Sequence, residues 1–150
     1  MRKQKGVLGR STKTRSTEGK QNRNGKGNVL LVKSLIPIPK LLERTQKVFN
    51  KYIRERDRGL PCISCGKYNE LQAGHYVPQK GGSYLRFHEW NVHGECQGCN
   101  GFDQFHLIGY RRNLVNKIGE DAVKWLEENR HVVKKWTRSE LEEIIQKYNV

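Results

Sequence analysis

Two short cysteine pairs constrain this chain more than any other feature: Cys62-Ile-Ser-Cys65 and Cys96-Gln-Gly-Cys99, with 30 residues between them. The basic start (Met1–Arg15) is followed by more polar residues rather than an apolar stretch, so no export signal and no disulfides are expected. The spacing instead predicts four thiolates on one zinc ion. Two residues between ligands let a tight turn aim both sulfurs at a single tetrahedral centre. Gly66, directly after the first pair, and Gly98, inside the second, are expected to give these knuckles backbone freedom. A redox Cys-x2-Cys motif needs only one pair, and the second pair argues against it.

Zinc also answers a stability problem. Residues 62–100 hold only 11 apolar side chains besides the cysteines. Small cores rarely supply more than ~3–5 kcal/mol, whereas structural zinc on four thiolates contributes on the order of 10–16 kcal/mol to folding. The segment is therefore expected to unfold, and not merely lose activity, when the metal is removed.

The chain of 150 residues has room for one domain and a tail. It carries 29 Lys and Arg against 15 Asp and Glu, a formal charge of +14, which points to an acidic or nucleic-acid partner. The charge is uneven. Residues 1–40 hold 11 of the basic residues and one acid, Glu18, leaving +4 for residues 41–150. The first 28 residues have almost nothing apolar to bury beyond Val7 and Leu8, which predicts a disordered basic arm that adds phosphate contacts. No apolar run is long enough to cross a bilayer, and a membrane partner is excluded.

Val29–Pro39 reads as a linker whose two prolines forbid a long helix. From Lys40 the apolar residues Leu41, Leu42, Val48, Phe49, Tyr52 and Ile53 recur at helical spacing, and Gly59 with Pro61 ends the run. Gln72–Val77 is expected as a strand, Pro78–Ser83 as a loop, and Tyr84–Phe87 and Asn91–Glu95 as further extended segments. Helix returns with Tyr110, Leu114 and Ile118, stopped by Gly119, and again over about Glu120–Asn129. Thr137-Arg138-Ser139-Glu140 is a capping box opening a last amphipathic helix.

Between and after the cysteines lie Gly74-His75-Tyr76-Val77-Pro78, Gly81-Gly82, Asn91 five positions before Cys96, and Cys99-Asn100. This order resembles the HNH, or ββα-metal, nucleases, whose His, Asn and His-or-Asn positions fall here on His75, Asn91 and Asn100. A more specific resemblance covers residues 40–150. Tyr52–Gly66, Ala73–Tyr76, Leu85–Phe87, Asn91–His93, Cys96–Asn100 and Tyr110-Arg111 are similar to the phage NinG/Rap recombination endonucleases. The resemblance implies an α+β fold: a zinc-stapled ββα-metal core flanked by helices, as a nuclease domain over 40–150 behind an arm and linker over 1–39. It also implies an enzyme that nicks branched DNA, including Holliday junctions and D-loops. Such a protein would be phage or prophage encoded and would work in the cytoplasm of the bacterial host.

The chemistry can be assigned on the residues. Phosphodiester hydrolysis needs an activated water, a cation on the phosphate and stabilisation of the leaving oxygen. His75 is the expected base, since imidazole takes a proton readily near neutral pH. Asn91 is expected to fix the loop bearing His75, and Asn100 to offer its amide oxygen to Mg2+ or Mn2+. HNH enzymes commonly carry an acid or His just before the base, where this chain has Gly74. The second cation ligand is therefore open: Asp103, if it shares a helix face with Asn100 at i+3; His106; or His93, if it lies on one strand with Asn91. Arg54, Arg56, Arg58, Lys80, Arg86, Arg111 and Arg112 are the candidate phosphate contacts. Two symmetric cuts in a junction would call for a homodimer, and the alternatives are a zinc module that only binds DNA or a nicking enzyme indifferent to branching.

Overall fold

The structure is a computed structural model that describes residues 36–79 and 84–150. The expected basic arm, most of the linker and Lys80 lie outside the described residues. Helix α1 spans Ile38–Arg56, with Leu41, Thr45, Phe49 and Ile53 buried at intervals of four, one stripe along its inner face. The Thr45 hydroxyl satisfies itself within this stripe by donating to the Leu41 carbonyl at 2.9 Å. The helix begins before the expected Lys40. Pro39 sits in its first turn, where the missing N–H has no carbonyl to serve, so the proline starts the helix instead of blocking it.

Strands β1 (Leu71–His75) and β2 (Val92–Cys96) form an antiparallel pair, with Leu71 opposite Cys96, Gln72 opposite Glu95 and Gly74 opposite His93. Paired residues share a face. Leu71, Ala73 and His75 therefore lie with Val92, Gly94 and Cys96, while Gln72 and Gly74 lie with His93 and Glu95. All five residues of β2 are buried, which is why its sequence alternates so weakly.

Tyr84–Phe87, expected to be extended, is instead a 3-10 turn, and a second one covers Glu89–Asn91. Leu85 and Phe87 mimic strand alternation because each enters a different core. At three residues per turn, side chains two apart point about 120° away from each other.

A five-residue helix, α2 (Gln97–Gly101), follows β2, then α3 (His106–Ile118), α4 (Glu120–Glu128) and α5 (Arg138–Tyr148). Asp103 lies beyond the end of α2, so the expected helix face shared with Asn100 does not form. Gly119 ends α3 as expected. Thr137 and Glu140 make both halves of the capping box at α5.

The first core lies between α1 and α5, where Phe49 meets Phe87 and Tyr148 edge-on at ring-centre distances of 5.7 and 4.9 Å. The second gathers Ile63, Val77 and Leu85 around Tyr110, Leu114, Val123 and Leu126 of α3 and α4. Ala73 and Val92 carry one face of the hairpin into the first core. The Tyr110 hydroxyl ties the hairpin to α3 by donating to the Gly74 carbonyl at 3.0 Å. Among the described residues, no helix is long and apolar enough to cross a membrane.

Candidate functional site

The first knuckle closes when the Gly66 amide donates to the Cys62 carbonyl at 2.8 Å and the Cys62 amide to the Lys67 carbonyl at 2.9 Å. Gly66 takes a φ of 72°, the left-handed backbone expected of it. Gly98 does not; it lies within α2. The second pair begins at the end of β2 and continues into α2, and the Cys96 amide donates to the Cys62 sulfur at 3.3 Å. All four Sγ atoms lie within 4.8 Å of one another. Four sulfurs at about 2.3 Å from one tetrahedral zinc would stand about 3.8 Å apart. Cys65 and Cys96 are already 3.9 Å apart. The set can hold a zinc ion, and it is the sole group of three or more Cys, His, Asp or Glu donors so placed among the described residues. Burial pushes the Cys62 and Cys99 thiols up, so metal binding must displace protons there.

Asn91 is fully buried and acts as a clamp. Its Oδ1 accepts from the Val77 amide at 2.7 Å, and its Nδ2 donates to the Val77 and Leu85 carbonyls, each at 3.1 Å. Its own carbonyl accepts from the Tyr76 amide at 2.9 Å. One side chain thereby holds both flanks of the loop that follows His75. The His75 Nε2 lies 3.1 Å from the Arg86 carbonyl, while the Gln79 amide is the longer contact at 3.4 Å. A carbonyl can only accept, so Nε2 carries the hydrogen and the lone pair stays on Nδ1. Burial lowers the His75 pKa and keeps the ring neutral.

Asn100 lies elsewhere. It is exposed, and its Nδ2 donates to Gln72 Oε1 at 3.1 Å, on the hairpin face opposite His75. The structure brings His75 together with Asn91 but not with Asn100. Asp103 spends Oδ1 on the Phe105 amide at 2.8 Å and lines a cavity beside the cysteines. His93 does not meet the condition set for it as a ligand, because Asn91 belongs to a 3-10 turn and not to its strand. Arg56 Nη2 lies 2.9 Å from His93 Nδ1, and a guanidinium cannot accept, so Nδ1 is occupied; Nε2 donates to the Trp90 carbonyl at 3.2 Å. His106 faces a residue the spacing did not single out. Its Nδ1 is 2.7 Å from Oε1 of Glu95, a fully buried carboxylate. The only sequence signal for Glu95 is an acid next to a cysteine in a short strand that also holds His93.

The candidate phosphate contacts divide. Arg54, Arg58 and Arg112 are exposed. Arg111 pairs with Glu120 and Glu127 at 3.0 and 2.7 Å, and Arg86 donates to Gln46 at 2.7 Å. Arg56 is a correction: its guanidinium is turned inward onto Asp57, the Val92 carbonyl and His93, and it braces the fold rather than facing solvent.

Comparison with known proteins gives the chain a family. The family described as "Bacteriophage Lambda NinG protein" matches residues 1–150. "Protein ninG" of Escherichia phage 933W is 43% identical over 109 residues, 71% of this chain and 54% of that protein. "Protein ninG" of Escherichia phage lambda is 41% identical, over 71% of this chain and 53% of its own length. That of Salmonella phage P22 is 40% identical over the same shares. The chain thus spans about half the length of the curated relatives it matches. No solved structure matches it. A family match over every residue, with relatives above 40% identity across most of the chain, makes this a member of the NinG family of phage proteins.

Proposed function

We propose that this chain is a metal-dependent, structure-selective DNA endonuclease that hydrolyses phosphodiester bonds in branched recombination intermediates such as Holliday junctions and D-loops. The observation that carries the reading is the His75 ring: its Nε2–H is held by the Arg86 carbonyl, leaving Nδ1 as a neutral lone pair able to take a proton from water. Asn91 supports it by locking the loop on which Arg86 and His75 meet. The order of hairpin, second knuckle and helix supports the reading of a ββα-metal core, and Asn100 keeps its amide oxygen for a hard cation once Nδ2 is used on Gln72. Mg2+ or Mn2+, bound by Asn100 with Asp103 or His106, would neutralise phosphate charge from the hairpin face opposite His75, so the cut strand would have to pass the edge of the hairpin to meet both. Arg54, Arg58 and Arg112 would hold the strand on either side without reading bases. A second copy of the chain would supply the second cut in a symmetric junction.

The test is cleavage of a synthetic four-way junction in Mg2+, beside linear duplex and flap substrates of the same sequence. His75→Ala is expected to reduce cutting by about 10²–10⁴-fold while junction binding survives. Unchanged cutting would overturn the assignment of the base, and equal cutting of all three substrates would replace junction selectivity with general nicking. A zinc module that only binds DNA is the second reading. It is favoured by one observation, the separation of His75 and Asn100 onto opposite faces of the hairpin, and it requires that the unaltered protein cuts none of the three.

A further inference from the structure

The face of the hairpin that carries Asn100 has an unusual centre. Gln72, which accepts from Asn100, stands directly opposite Glu95 in the strand register, so the two side chains emerge side by side. Glu95 is fully buried. Its Oε1 accepts from the Ser64 hydroxyl and from His106 Nδ1, the latter at 2.7 Å. Its Oε2, also buried, has no hydrogen-bond partner among the described residues. Leaving a buried acceptor without a donor is destabilising, and more so when it is charged, so stability alone does not explain the group.

The same carboxylate explains Gly74. A Cβ built on residue 74 would overlap Glu95 Oε2 and come within 2.7 Å of Glu95 Cβ. The volume that an acid or histidine before the base would fill is already taken by an acid reaching over from the neighbouring strand. Glu95 in turn fixes His106. A carboxylate already accepting from Ser64 also accepts here, so Nδ1 carries the hydrogen and the Nε2 lone pair is left for another group. A ring nitrogen held this way, with its partner nitrogen on a buried carboxylate, is the arrangement by which proteins orient a metal-binding histidine.

The geometry points to His106, positioned by Glu95, as the second protein ligand of the divalent cation, with Asn100 the first and Gly74 a necessary glycine. His106 is only partly buried, so its free nitrogen can reach a hydrated ion. Mg2+ keeps several of its waters, so two protein ligands are enough to hold it. Asp103 is excluded from the pair, since it faces the cysteine cavity and caps the turn at Phe105. The assignment rests on the endonuclease reading only for the purpose of the cation.

Binding of Mn2+ to the zinc-loaded full chain tests it, followed by titration calorimetry and by loss of the free-ion paramagnetic resonance signal, with circular dichroism on each variant. His106→Ala is expected to weaken Mn2+ binding by about 10–100-fold, and Glu95→Gln and Gly74→Ala to weaken it in the same direction. Asp103→Ala is expected to bind as the unaltered chain does. Should Glu95→Gln fail to fold, His106→Ala and Gly74→Ala carry the test. Undiminished Mn2+ binding in His106→Ala, or no Mn2+ binding by the unaltered chain, overturns the proposal. Junction cleavage separates the two claims: a chain that binds Mn2+ through His106 but cuts nothing keeps this site and loses the nuclease reading. A chain that cuts while Mn2+ ignores His106 does the reverse.

Discussion

At Asp57 the donors of three elements converge on one buried carboxylate. Arg56 reaches it from the end of α1 at 2.8 and 2.9 Å, the Gly94 amide from β2 at 2.7 Å, and Lys117 from α3 at 3.3 Å. Burial alone would raise its pKa, but the neighbouring His93 ring, the Arg56 guanidinium and the Gly94 amide outweigh it and hold the carboxyl far below the usual range. A depressed folded-state pKa means that the group stabilises the fold at every pH above its unfolded value, about 3.9, and that this contribution drains away as pH falls below about 4. Asp57→Asn is therefore expected to lose about 3 kcal/mol at pH 7, measured by urea unfolding. The gap between variant and parent should close in acid. Neither Asp57 nor Glu95 was legible as a hub, because the sequence shows a charge but not its burial. Asp57 stands among Arg54, Arg56 and Arg58, a run that reads as a solvated basic face, and Arg56 was miscast with it for the same reason.

The elements were more legible where one core set the pattern. Helix α3 could be read from Tyr110, Leu114 and Ile118 because its apolar face meets a single partner surface, with Gly119 closing it. Helix α5 is marked by its cap together with the apolar side formed by Leu141, Ile144, Ile145 and Tyr148. There the Thr137 amide donates to Glu140 Oε2 at 2.9 Å and the Glu140 amide returns a bond to the Thr137 hydroxyl at 3.4 Å. Thr137→Ala is expected to cost about 1 kcal/mol, seen as a shift in the urea midpoint with an unchanged slope. Tyr84–Phe87 reads as extended and is not, because two cores pull on neighbouring side chains there. The placement of Asp103 failed because a knuckle helix of five residues ends before a second turn can form.

Across the whole molecule, the cysteine spacing was the most reliable guide, since a tetrahedral ion fixes four positions at once and leaves the intervening chain little choice. The four cysteines join the turn after α1 to the end of β2, so a zinc ion held there would fasten the hairpin to that turn. Chelation at neutral pH is expected to abolish cooperative thermal unfolding, and readdition of Zn2+ to restore it; retention of a sharp transition in the chelated protein would show that the two cores suffice. What the sequence could not show was the division of labour across the hairpin, which places the proposed base on one side and the amide, carboxylate and second imidazole on the other. That division depends on strand register, and a slip of one residue would reverse it.

Asn91 carries a consequence for how this scaffold can vary. Because a single buried amide grips Val77 and Leu85 together, the stretch joining them is pinned at its roots and is free to change in length, at about 0.6 kcal/mol for each doubling. Insertions between these two residues are expected to leave the His75 ring in register with Asn91.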